Sequence, residues 1–175
     1  MLKKWQSFLN RVGFTVKTPI LDIHIKSESE IASKHQSWVQ VSKGNLPNGC
    51  ESAGQEADGN PLFIARAWYE NETHIGKTRK EFEGALIPWG GKEIKIESYE
   101  VYVGTQKWID AQNGEIPMGA LVAGQEADGN PLYVARAKFG GGMHIGKVSP
   151  RFGAALIPYN GRENAVQKYQ VLVVG

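Results

Sequence analysis

The string GQEADGNPL occurs twice in this chain, at 54–62 and at 124–132. With the alanine ahead of it, Ala53–Leu62 is identical to Ala123–Leu132 at every position. Trp38 and Trp108 precede the two copies at the same offset of 70 residues, and the offset holds without a gap from Trp38 to Val103 against Trp108 to Val173. Nearly half of the aligned positions are identical. An internal duplication of this grade sets the architecture. One unit of this size buries too little core to be stable alone. The two units are therefore expected to pack about a pseudo-two-fold axis around one shared core. Two copies of so long a period do not make a solenoid.

Each unit reads as short strands between turns. Trp38-Val-Gln-Val, Phe63-Ile-Ala-Arg-Ala-Trp-Tyr, His74-Ile-Gly-Lys, Ala85-Leu-Ile-Pro and Tyr99-Glu-Val-Tyr-Val each have a counterpart 70 residues on. Alternating and β-branched residues favour antiparallel strands. The 21 glycines and 8 prolines suit many turns rather than long helices. The fold class is all-β: two tandem pseudo-symmetric antiparallel repeats, residues 38–107 and 108–175, behind an N-terminal extension over 1–37. In that extension Trp5, Phe8, Leu9 and Val12 recur at helical spacing ahead of Gly13, which predicts a short amphipathic helix over 2–12. Phe14–Lys17 and Leu21–Lys26 alternate as strands do. The helix is read as packed on the body of the protein, with contact to a membrane or partner as the alternative.

Charge and cysteine content narrow the function. A net charge of +2, with scattered rather than massed basic residues, argues against a nucleic-acid partner. Cys50 is the only cysteine, and Ala120 stands in its place in the second repeat, so it reads as a small packed residue and not a nucleophile. His24, His35, His74 and His144 show no metal-ligand spacing within a repeat, and no Ser/His/Asp or Cys/His arrangement stands out. No metal, cofactor or enzymatic activity is expected. Lys3 and Lys4 are not followed by a continuous apolar run, so no secretory signal is read there, and the expectation is a cytoplasmic or non-classically secreted protein.

Identity between the copies is uneven. Trp68–Thr73 shares nothing with Lys138–Met143, yet His74-Ile-Gly-Lys77 recurs as His144-Ile-Gly-Lys147. Asp58-Gly59-Asn60-Pro61 is accounted for by hairpin-turn chemistry. Glu56 is not, and neither is the retention of Lys77. Glu56 and Lys77, like Glu126 and Lys147, lie 21 residues apart, a spacing that a strand, a loop and a returning strand can close. A carboxylate accepts hydrogen bonds and an ammonium donates three, so such a pair suits vicinal hydroxyls. A plain surface ion pair is the equal alternative on these residues alone. Asp58, Asp128, His74 and His144 are secondary candidates, and Trp68, Tyr69 and Phe139 offer faces for stacking on a sugar.

The pattern Ala-Gly-x-acid-x-Asp-Gly-x-Pro-Leu-aromatic-aliphatic-x-Arg-Ala, followed after a short tip by Gly-Lys, resembles the DM-nine repeat family over residues 38–174. That family occurs as tandem pairs in mannose-binding mollusc lectins and fused to aerolysin-like pore-forming modules. The resemblance implies a β-rich pseudo-symmetric unit that tends to dimerise. It also implies that Glu56 with Lys77, and Glu126 with Lys147, bind mannose-type sugars. Here the acid, usually Asp, is Glu, and Ile75 and Ile145 replace a proline ahead of Gly-Lys. The expected function is non-enzymatic, lectin-like carbohydrate binding at two similar sites. The alternative is a structural or interaction module, for example an accessory part of a pore-forming or secretion assembly.

Overall fold

Period-two alternation runs through both repeats, and the central strands are buried on both faces over 74–78 and 144–148 while the turns reach solvent. The computed structural model describes residues 36–174. The helix over 2–12 and the strands over 14–17 and 21–26 lie outside the described residues. The first repeat forms β1 (Ser37–Ser42), β2 (Gly54–Gln55), β3 (Pro61–Tyr69), β4 (Glu72–Arg79), β5 (Gly84–Trp89), β6 (Lys92–Ile96) and β7 (Ser98–Val103). The second repeats the series as β8 (Lys107–Gln112), β9 (Val122–Gln125), β10 (Pro131–Phe139), β11 (Gly142–Val148), β12 (Ala155–Tyr159), β13 (Arg162–Val166) and β14 (Lys168–Val173). Among the described residues the helical pieces are the 3-10 turns Lys80–Phe82 and Pro150–Phe152. All strand pairings are antiparallel, and the all-β class holds.

The strands make one barrel-like sheet in the order β1-β7-β3-β2-β11-β12-β13-β6-β5-β4-β9-β10-β14-β8. Exchanging each strand for its counterpart reverses this order onto itself, which is the pseudo-two-fold axis written in topology. Three joints cross between repeats. Gln55 of β2 pairs with Met143 of β11, Thr73 of β4 pairs with Gln125 of β9, and Lys92 of β6 pairs with Arg162 of β13. The hairpin strand of each GQEADGNPL copy thus docks on the His-Ile-Gly-Lys strand of the other repeat.

The core follows the same symmetry. A central cluster takes Ala53, Leu62, Ile64, Ile75 and Tyr102 together with their counterparts Ala123, Leu132, Val134, Ile145 and Leu172. Each repeat adds a satellite cluster of its own, around Ile87 and Tyr99 in the first and Ile157 and Tyr169 in the second. Arginines fasten the halves. Arg66 Nη1 donates to Ala123 O at 3.2 Å and Arg136 Nη1 to Ala53 O at 2.9 Å. Each guanidinium lies 4.2 Å over Trp38 or Trp108, which explains why Trp and Arg recur in both copies.

The retained motif also contains the glycines that the crossing requires. A Cβ built on Gly54 would strike the Met143 carbonyl oxygen, and one on Gly124 the Thr73 carbonyl oxygen. We expect Gly124→Ala to force the joint apart and to destabilise the protein by roughly 2–3 kcal/mol. Urea unfolding checks this, and a change of under about 0.5 kcal/mol, the level of an ordinary surface substitution, would contradict it.

Candidate functional site

His74 and Lys77 are three residues apart on β4, and an odd spacing on a strand puts two side chains on opposite faces. One repeat therefore does not supply both to one site. Each strand gives its lysine to one cradle and its histidine to the other. Lys77 Nζ lies 2.9 Å from His144 Nδ1, and Lys147 Nζ lies 3.0 Å from His74 Nδ1. Both lysines and both histidines are buried, the lysines at 2 % and 4 % exposure.

Burial shapes their protonation. Desolvation pushes both lysines below their ordinary value, while Glu93 and Glu56 beside Lys77, and Glu163, Glu72 and Glu126 around Lys147, pull the other way. Burial, reinforced by the neighbouring lysine, lowers each histidine to about 4. For His74 the Tyr69 backbone opposes this shift. At neutral pH each imidazole is uncharged, and its Nδ1 accepts from the ammonium. The proton then sits on Nε2. Neither His74 Nε2 nor His144 Nε2 has a hydrogen-bond partner among the described residues.

Carboxylates face these donors. In the first cradle Glu56 Oε2 is 3.8 Å from His144 Nε2 and Glu93 Oε2 is 4.0 Å from Lys77 Nζ. Glu93 also accepts from Gly161 N at 3.3 Å, and Glu163 from Gly91 N at 3.4 Å, so the two hairpin tips hold each other's acids in place. Tyr159 stands 5.3 Å from Lys77 Nζ and meets the His144 ring edge-on at 4.8 Å. In the second cradle the Phe152 ring lies 5.7 Å from Lys147 Nζ.

The candidates named from sequence distribute unevenly over this geometry. Glu56 and Lys77 come to the same cradle, as do Glu126 and Lys147, but the Glu56 carboxylate pairs with the histidine of the other repeat, at 3.8 Å. His74 and His144 are central rather than secondary. Asp58 and Asp128 serve the turns: each accepts from the backbone N–H two residues on at 3.0 Å, and each carboxyl is held below its ordinary value chiefly by that bond. Tyr69 and Phe139 pack edge-on against Trp89 and Tyr159. Trp68 points to solvent at 63 % exposure. Sequence reasoning passed over Glu93 and Glu163. Their signal was available, because Gly-Lys-Glu at 91–93 and Gly-Arg-Glu at 161–163 keep the acid in both copies.

The depressed histidines fix the sign of an acid response. Their folded value of about 4 lies below the ordinary 6.5, so the unfolded chain binds more protons between the two. The histidine contribution to stability is fully present above about pH 6.5 and is lost as pH drops toward about 4, by up to about 1.4 kcal/mol per pH unit for each histidine. Urea midpoints across this window check it, and a midpoint that stays level from about pH 6.5 to about pH 4.5 would contradict it.

Comparison with known proteins agrees with this architecture. The family model described as the DM9 repeat matches residues 24–96 and 78–166. No curated protein matches the chain. Among solved structures, the crystal structure of the nematode sperm cell motility protein MFP2B is similar, with a TM-score of 0.59 and 17% sequence identity over 79% of this chain and 46% of that one. This chain thus spans less than half of that protein, and at this identity the likeness concerns the fold alone. With most of its length covered by two matches to one repeat model, the chain belongs to the DM9 repeat family.

Proposed function

We propose that this protein is a non-enzymatic carbohydrate-binding protein whose cradles grip adjacent hydroxyl groups of a neutral sugar, with mannose-type sugars as the leading ligand. The observation that carries this reading is the buried Lys–His pair with an unpartnered imidazole N–H and carboxylates beside it. A hydroxyl both donates and accepts. It can receive a bond from the ammonium or from Nε2–H and give its own proton to a glutamate. Anionic ligands are disfavoured by the carboxylates, and a simple cation is disfavoured by the central lysine. Tyr159 and Phe139 supply apolar ring surface at the first cradle. Single sugar sites of this kind bind weakly, and self-association of the chain, which we also propose, would raise apparent affinity on a surface carrying many glycans.

Replacing Lys77 and Lys147 together by Met keeps the aliphatic stems and removes the charged donors. Calorimetry with methyl α-mannoside is expected to show affinity reduced roughly tenfold to a hundredfold, the worth of one charge-assisted hydrogen bond. Undiminished binding by a folded double variant would remove the cradles from the reading.

A second reading, an interaction module, is favoured by Trp68, whose indole is exposed on a strand that is otherwise well packed. The fold-level likeness to a motility protein is compatible with it. Trp68→Ser is expected to weaken self-association in sedimentation while mannoside binding persists. Unchanged association would detach Trp68 from any such role.

A further inference from the structure

The duplicated cradles differ at their rims. Position 72 of the first repeat is Glu, and its counterpart in the second is Gly142. Glu72 Oε2 lies 3.1 Å from His74 Nε2, and Glu72 Oε1 accepts from Ala127 N at 3.3 Å. One carboxylate therefore stands against the His74 imidazole, whose Nε2 makes no hydrogen bond in this structure, and is fixed there by the backbone of the second GQEADGNPL turn. At Gly142 no side chain intervenes, and a Cβ there would come within 2.9 Å of His144 Nε2. A cleft of about 530 Å³ runs along that hairpin tip, walled by Gln55, Phe139, Gly142 and Met143.

The motif glutamates differ as well. Glu126 Oε2 is taken by Asn130 Nδ2 at 3.0 Å and by Arg151 Nη1 at 3.4 Å, and Arg151 is itself anchored on Asp128 Oδ2 at 2.6 Å. The residue corresponding to Arg151 in the first repeat is Glu81, which pairs instead with Arg79 at 3.2 Å. There Asn60 Nδ2 donates to Asp58 at 2.8 Å. Glu56 keeps its carboxylate turned toward His144 Nε2 but stands off at 3.8 Å, against 3.1 Å for Glu72 and His74 Nε2.

We propose that the two cradles are functionally unequal: Lys77, His144 and Glu56 form the one that takes ligand, while Glu72 acts as a built-in ligand that closes the cradle of Lys147 and His74 as Arg151 draws Glu126 aside. Glu72 also marks which donor of the cradle an incoming oxygen would use. The stoichiometric part of this inference rests on the sugar-binding reading above.

Glu72→Gly with Arg151→Glu copies into each position the residue that the other repeat carries. Calorimetry with methyl α-mannoside is expected to give one site per chain in the unaltered protein and two in this variant, with Lys77→Met abolishing the single site of the former. Two equal sites in the unaltered protein would overturn the inequality and leave sugar binding standing. A ligand-free measurement separates the two ideas. By NMR the imidazole Nε2 proton of His74 is expected downfield of that of His144, and Glu72→Gly is expected to move it toward the His144 position. If no mannoside binds, the sugar reading fails while this shift still supports closure by Glu72. If the two imidazole protons resonate alike and Glu72→Gly moves neither, closure by Glu72 is wrong.

Discussion

Everything in this molecule depends on a reciprocal strand crossing. β2 docks on β11 and β9 docks on β4, so each repeat completes the sheet of the other. The crossing brings the alanines ahead of each motif within reach of the opposite arginine, and it places Ile75 and Ile145 in one common cluster. A single repeat has a satellite core but no central one. That is the physical reason for two copies in one chain: a unit this small gains its missing buried surface from its twin.

The same crossing creates the cradles. A lysine buried alone would carry a heavy desolvation penalty. Here it is met by a neutral imidazole from the other repeat and by carboxylates on hairpin tips that are themselves locked together. Such a network is costly when any one member is missing and rigid when all are present. The proposed sugar binding would draw on such a preorganised set of donors and acceptors, because groups already held in place lose little freedom when a ligand arrives.

Much of this was legible in the chain. Asp58-Gly59-Asn60-Pro61 forms the turn its residues predict, with Gly59 at φ +87° and Asp58 accepting from Asn60 N. Pro61 and Pro131 open their strands. The shared core takes its residues in corresponding pairs. What was not legible is the partner of each lysine. The 21-residue spacing pointed to a glutamate of the same repeat, whereas the hydrogen bond goes to a histidine some 70 residues away in the other. The parity of His74 and Lys77 on one strand contained that answer, but only for a reader who already knew that both faces of β4 are buried.

The sequence by itself determined the duplication, the all-β class, the turns and the short roster of polar residues worth retaining twice, because these follow from local periodicity and from identity between copies. Only the tertiary structure decided which of them meet. Partnership across a two-fold axis depends on strand order and on the face each side chain takes, and neither is set by distance along the chain. The inequality of the cradles was likewise hidden in plain view: Glu72 and Gly142 sit in a tip that looks freely variable until the fold brings that tip against an imidazole whose N–H is buried without a partner.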